Sequence, residues 1–315
     1  MLQKCRLVAL GFLTAILSIS CSISAQQNLI SSDTPAKPSR SDDAITKSWR
    51  AWNEPFRPFR IIGNVYYVGP AGVSSFLITT PEGHILIDTG FESTVPRIKE
   101  SVAKLGFRLE DIKILLSSHA HLDHVGGHAL MKKLTGAKIM MSEADAAMLA
   151  TGGTIDFTPY STNITAYSPA SADQLLHDED KVILGGTILT CHLTPGHTKG
   201  CTTWTMDAKE GDKVCHVLFF GSTTVLDGVS LVNNNAYPNI ADDYRSTYRK
   251  LKTLPCDVFL APHAGFFGLA EKAERLERGE QPNPFIDSSA FRNFINRAEN
   301  DFREKMQREQ KQLGG

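Results

Sequence analysis

The chain has little cysteine. It carries six in 315 residues, and none has the close spacing of a structural zinc knuckle. Cys5 and Cys21 fall in the first 25 residues, leaving Cys191, Cys201, Cys215 and Cys256. Four thiols have several possible pairings that sequence does not decide, and buried free thiols are the expectation. An excess of one charge is also missing: 33 Lys and Arg face 34 Asp and Glu. No basic field follows that would draw the chain to nucleic acid. Nor is there an apolar run of the roughly 20 residues that a bilayer span needs. The composition, 42% hydrophobic and 21% charged, excludes a disordered or collagen-like chain. What remains is a soluble globular protein with a core of ordinary size, expected to be monomeric and to act on a small molecule.

The first residues read as an export leader. Lys4 and Arg6 precede the uncharged apolar run 7–19, small residues follow, and Ala25 is suited to be the last residue before cleavage. A signal peptide over 1–25 implies a periplasmic location. Cys21 offers lipid attachment as a second possibility, although Ser18-Ile19-Ser20 fits such a site poorly. Removing Lys4 and Arg6 leaves 31 basic against 34 acidic residues, a net charge of -3. Residues 26–47, rich in Ser, Asp, Pro and Lys, predict a flexible arm, and 48–315 reads as a single domain with order beginning near Trp49 and Trp52.

Beyond the arm, short apolar runs at 61–62, 65–68, 75–78 and 84–87 predict strands, punctuated by Asn64, Gly72 and Pro81-Glu82-Gly83. Val95, Ile98, Val102 and Leu105 lie on one helical face. A strand at 112–116, a helix over 126–135, a strand at 137–141 and a helix over 142–150 follow. The stretch 151–176 predicts a long loop. Strands return at 181–184, 187–194, 201–206 and 214–220, the last two flanking a turn at 209–212. A helix over 241–252 and a strand at 257–261 precede a C-terminal stripe of Phe291, Phe294, Ile295, Ala298, Phe302 and Met306, which reads as a core-packing face. Strands with helices, twice over, indicate a layered α/β sandwich.

Of ten histidines, four crowd into Ser118-His119-Ala120-His121-Leu122-Asp123-His124-Val125-Gly126-Gly127-His128. The run follows a strand, and alternate residues at a strand end face the same way, so His119 and His121 can share one cation. Asp123 and His124, on the next turn, can face a second. Imidazole and carboxylate suit Zn(II) without any thiolate. Gly126 and Gly127 are expected to let the backbone turn tightly into the next helix. His197 in Pro195-Gly196-His197 and His263 in Pro262-His263 also sit at strand ends. His84, His177, His192 and His216 stand alone and read as ordinary core or surface residues. His128 reads as a supporting or surface residue.

The histidine run, with Pro-Gly-His and Pro-His following in order, resembles the signature of the metallo-β-lactamase superfamily. That resemblance implies an αβ/βα four-layer sandwich with a two-metal site, one zinc held by His119, His121 and His197 and the other by Asp123, His124 and His263. Thioesterase, lactonase and nuclease branches carry a bridging carboxylate where this chain has Ser222, within Phe219-Phe220-Gly221-Ser222-Thr223. A neutral hydroxyl is a poor bridge between dications. Ser222, together with Pro55-Phe56-Arg57-Pro58-Phe59-Arg60, Thr194-Pro195-Gly196-His197-Thr198-Lys199-Gly200-Cys201 and Asn234-Asn235-Ala236-Tyr237-Pro238, resembles subclass B3 of the β-lactamases.

The resemblance implies hydrolysis of the lactam amide of β-lactam antibiotics, and so antibiotic resistance, by a zinc-bound hydroxide with two Zn2+ per chain. Asp123 would orient the attacking water, and Ser222 and Thr224 would bind the substrate carboxylate. The loop 151–168, with Ile155, Phe157 and Tyr160, is a candidate apolar wall. Two departures stand out. The cysteine that members often pair with the one matching Cys256 is replaced by Ala290, and Val229 lies near the place of a tyrosine thought to polarise the lactam carbonyl. The alternative is a metal-dependent thioesterase or lactonase of the same fold; a non-catalytic metal-binding protein is a further rival.

Overall fold

The structure is a computed structural model and describes residues 40–159 and 165–314. The leader, Cys21, the arm up to residue 39 and Tyr160 lie outside the described residues. Helices are α1 (Arg40–Trp52), α2 (Val95–Lys104), α3 (Leu122–Val125), α4 (His128–Thr135), α5 (Glu143–Ala150), α6 (Ile240–Leu251), α7 (Leu269–Glu277) and α8 (Ala290–Gly314). One sheet contains β1 (Phe59–Ile62), β2 (Val65–Tyr67), β3 (Phe76–Thr80), β4 (Gly83–Ile87), β5 (Ile112–Leu116), β6 (Lys138–Ser142) and β7 (Gln174–Leu176), neighbours in that order. The other contains β8 (Lys181–Leu184), β9 (Thr187–Leu193), β10 (Thr202–Glu210), β11 (Lys213–Phe219) and β12 (Val258–Leu260), again in sequence order.

Two-residue alternation sorts the layers. Phe76, Ile78, Ile85, Ile87, Ile114 and Leu116 point from the first sheet into the cluster that also holds Trp204, Met206 and Val217 of the second. Their alternates Leu77, Leu86 and Leu115 pack on the opposite face with Val95, Ile98, Val102, Met131 and Leu149 of α2, α4 and α5. In the second sheet Phe219 meets Phe76 across the sandwich, at 5.3 Å between ring centroids. Its successor Phe220 turns the other way, onto Phe291 and Phe294 of α8. Helix, sheet, sheet and helix therefore stack as the αβ/βα four-layer sandwich. The Trp204 indole N–H, donated to the Ser117 carbonyl at 3.0 Å, ties the second sheet to the loop that carries the histidine run.

Several local expectations need correction. Residues 40–47, the last eight assigned to the arm, belong to α1. The loop after α5 ends in a strand, because Gln174, Leu175 and Leu176 pair in parallel with Met140, Met141 and Ser142. Only Leu176 of those three is buried, so this edge strand shows no alternation in the sequence. The hairpin turn is tighter than 209–212, since Lys209 and Glu210 still pair with Val214 and Lys213 and leave only Gly211-Asp212 to turn. α7 was not expected at all. The four cysteines outside the leader are free, with Cys191, Cys201 and Cys215 buried. Val229 is buried in the core rather than facing the site.

Candidate metal centre

Three strand ends build the site. β5 delivers Ser117 to His121, α3 begins at once with Leu122 and Asp123, and β9 and β12 run into His197 and His263. The expected same-side placement of His119 and His121 holds, with ring centroids 4.9 Å apart. His197 closes that group at 4.5 Å from His119 and 4.7 Å from His121. The glycines act differently from expectation. Gly127 has helical backbone angles, and what excludes a side chain there is space: a Cβ would stand 2.6 Å from Val95 Cγ2 and 3.0 Å from the Thr89 carbonyl oxygen. Gly196 does need its freedom, with φ at +137° and the Tyr244 ring 2.8 Å from where a Cβ would lie.

Two triads result. His119, His121 and His197 each offer one ligand atom within 4.8 Å of the others, and so do Asp123, His124 and His263. His119 Nε2 and His197 Nε2 are 3.2 Å apart. Asp123 Oδ2 lies 3.2 Å from His124 Nε2 and 3.5 Å from His263 Nε2. His121 Nε2 and both ring nitrogens of His124 are buried and face carboxylates, Asp156 for His121 at 3.2 Å, and Asp88 and Asp123 for His124 at 3.3 and 3.2 Å. The convergence of three ligand atoms in each triad, with His119 Nε2 set against His197 Nε2, fits a shared cation. Neutral imidazoles and one carboxylate are the donor set that Zn(II) accepts.

The rings are held from behind. The Thr224 carbonyl accepts from His197 Nδ1 at 2.6 Å, and Ser118 Oγ lies 3.1 Å from His119 Nδ1. Each leaves the Nε2 of its ring free for a ligand. Asp88 has a left-handed backbone, φ 58°, at the end of β4, and its carboxylate accepts the Ser118 N–H and hydroxyl, both at 2.7 Å. The same carboxylate stands 3.3 Å from His124 Nδ1. Asp145 of α5 joins the two ligand loops. It accepts the Ala120 N–H at 2.9 Å, the Thr198 hydroxyl at 3.0 Å and the Gly200 N–H at 3.0 Å. Burial raises its pKa to about 6 even though these donors favour the anion.

Electrostatics separate the triads. Burial and the neighbouring rings hold His119 well below the usual histidine range, and His197 is lowered to about 3 by burial and by His121. Burial and His124 lower His263 to about 4. His124 goes the other way, because Asp123 and Asp88 outweigh burial and raise it to about 10. Burial alone would raise Asp123, but the imidazoles of His124, His263 and His121 pull it far below the carboxylate range. His128 is wholly buried, not on the surface. Its Nδ1 lies 2.8 Å from Thr89 Oγ1, and burial lowers it to about 3.

Both triads open into one cavity of about 980 Å³, walled by Trp49 and Trp52 of α1, Phe266, Leu226, Pro159 and Tyr167. Trp52 meets the His263 ring edge-on at 4.9 Å. Ser222 and Thr224 both border the cavity, and Ser222 Oγ accepts the Thr224 N–H at 3.3 Å, leaving its own hydroxyl proton to donate. Of the loop residues expected as an apolar wall, Ile155 is exposed and Phe157 packs on Tyr237, at 4.9 Å between centroids. The loop instead borders the cavity through Gly153, Asp156, Thr158, Pro159, Thr165 and Tyr167.

Residues 68–263 match the profile of the Metallo-beta-lactamase superfamily. This chain belongs to that superfamily. Solved structures agree. The native FEZ-1 metallo-beta-lactamase from Legionella gormanii is 45% identical with a TM-score of 0.80, covering 82% of this chain and 98% of that one. BJP-1, a subclass B3 metallo-beta-lactamase of Bradyrhizobium japonicum, is 39% identical with a TM-score of 0.78, covering 83% and 98%. LRA-12, a class B3 di-zinc metallo-beta-lactamase from an Alaskan soil metagenome, is 36% identical with a TM-score of 0.77, covering 81% and 96%. Within the superfamily the chain groups with subclass B3.

In this metallo-β-lactamase-fold chain the six ligand candidates stand out in the sequence, and the residues behind them do not. Asp88 carried a signal, an acid directly after the apolar strand Ile85-Leu86-Ile87. Asp145 and Asp156 carried none, since each sits in a polar or amphipathic stretch that reads as surface.

Proposed function

We propose that this chain is an exported zinc-dependent β-lactamase that opens the lactam amide of β-lactam antibiotics and binds two Zn2+ per chain. One observation carries the reading: six candidate ligand side chains form two adjacent triads facing one cavity, with Ser222 on its wall. His119, His121 and His197 would hold one ion, and Asp123, His124 and His263 the other. Bound zinc supplies Lewis acidity and lowers the pKa of water toward about 7.

The chain's own groups do the rest. Asp123 meets its imidazoles through Oδ2, so Oδ1 is the atom assigned to orient the attacking water. The Ser222 hydroxyl and Thr224 are assigned to the substrate carboxylate at the cavity edge. Trp49, Trp52 and Phe266 supply the apolar wall that excludes bulk water from the reacting amide. We further assign 1–25 to an export leader, 48–315 to one catalytic domain and the mature protein to the periplasm. Among the described residues no helix is long and apolar enough to cross a membrane.

The test is a hydrolysis panel of a penicillin, a cephalosporin and a carbapenem, with a thioester and a lactone alongside. Turnover of at least one β-lactam, lost in chelator and restored by zinc, is expected. Efficient thioester or lactone cleavage with no β-lactam opening would refute the assignment. Fractionation of expressing cells and the N-terminal sequence of the mature chain test export, with Gln26 as the expected first residue.

A further inference from the structure

One ligand is braced from a different part of the protein. His119, His197 and His124 are backed by Ser118, Thr224 and Asp88, all on loops at the ends of β-strands. Behind His121 stands Asp156, whose Oδ2 lies 3.2 Å from Nε2. Asp156 belongs to the loop that follows α5 and walls the cavity. Its side chain is only 9% exposed. It is fixed within that loop: Oδ2 accepts the Thr158 hydroxyl at 2.6 Å, and its own N–H donates to the Gly153 carbonyl at 3.2 Å. With Nε2 facing a carboxylate, Nδ1 is the His121 nitrogen left for an ion.

We propose that Asp156 is a positioning residue that couples ion binding at the three-histidine site to the order of the cavity loop 151–159. The inference rests on the metal centre proposed above. A carboxylate behind a ligating imidazole fixes its tautomer and orientation and raises its basicity, and losing such a partner typically costs 10- to 100-fold in metal affinity. Coupling is reciprocal: whatever Asp156 contributes to holding the ion, the ion contributes to holding the loop. The substrate wall formed by Gly153, Thr158 and Pro159 then depends on metal loading, although none of these three is a ligand.

The test compares the full chain with Asp156→Asn, which keeps the shape and the Thr158 contact but removes the charge. Zinc affinity is read by competition with a chromophoric chelator, and amide hydrogen exchange over 151–159 is read with and without zinc. Thermal melting of the metal-free forms confirms that both are folded, and Asp156→Ser serves if the Asn variant is not. We expect the first ion to bind 10- to 100-fold more weakly in the variant, with the Asp123–His124–His263 site changed less than about threefold. Zinc should slow exchange in the loop of the parent chain and do so far less in the variant. Unchanged affinity in the variant, or a loop in the parent chain insensitive to zinc, overturns the proposal. Neither readout needs a β-lactam, so a chain that binds zinc as described but cleaves only thioesters would fail the functional assignment and leave this inference standing.

Discussion

Filling the two triads with zinc should have opposite proton consequences. His119, His197 and His263 are held low, at well below the usual range, about 3 and about 4, so at pH 7 these imidazoles are already neutral. His124 is raised to about 10 and carries a proton at pH 7 in the metal-free chain. Metal ligands must be deprotonated, so His119 and His197 take up an ion without losing a proton, while the second site must expel one from His124. Removing a proton at pH 7 from a group poised at about 10 costs about 4 kcal/mol. The second ion should therefore bind about tenfold more tightly for each pH unit gained between 6 and 8. Calorimetric titration of the metal-free protein in two buffers of different ionisation enthalpy measures the release directly. Ionisation of water on an ion adds a contribution that climbs across that range, whereas the His124 proton gives a constant one. Equal and near-zero release at both sites would refute the reasoning.

Other expectations follow from the same geometry. His263→Ala should lower β-lactam turnover more than about 100-fold and abolish the second ion. Because that side chain is on the cavity rim, the melting temperature of the metal-free protein should move by only about 2 °C. Lowering the pH from 6.5 toward 4 should destabilise the metal-free chain. The unfolded chain takes up protons that folded His119, His197 and His263 refuse, at up to about 4 kcal/mol per pH unit for the three. His124 has the opposite sign: its contribution is complete below about 6.5 and is lost as pH rises through about 10. Thermal melts across pH 4–7 in chelator check this, and a flat profile would contradict it.

The candidate ligands were legible because a would-be metal site leaves a local mark. Four donors within 119–124 have few structural reasons to cluster, and the ends of apolar strands announce where His197 and His263 emerge. The order of strands with helices, twice over, likewise foretold a layered α/β sandwich. The supporting groups were hidden because their role is long-range. Asp145 sits in the first turn of a short helix, where an acid is ordinary, and only the fold brings Ala120, Thr198 and Gly200 to it. Asp156 lies in a Gly- and Thr-rich loop, and only the fold brings it against His121. α7 escaped notice because its only buried residues are Leu269 and Ala273, and it starts from a left-handed Gly268 instead of a side-chain cap. The tightness at Gly127 is set by Val95, far away in sequence, so the glycine was read as a turn when it marks a close approach.

The central claim is that six side chains hold two ions side by side. Diffraction from crystals of the zinc-loaded protein, measured at the zinc absorption edge, tests it without reference to any substrate. Two anomalous peaks are predicted, one inside His119, His121 and His197 and one inside Asp123, His124 and His263. A single peak, or peaks lying away from either triad, would contradict the account.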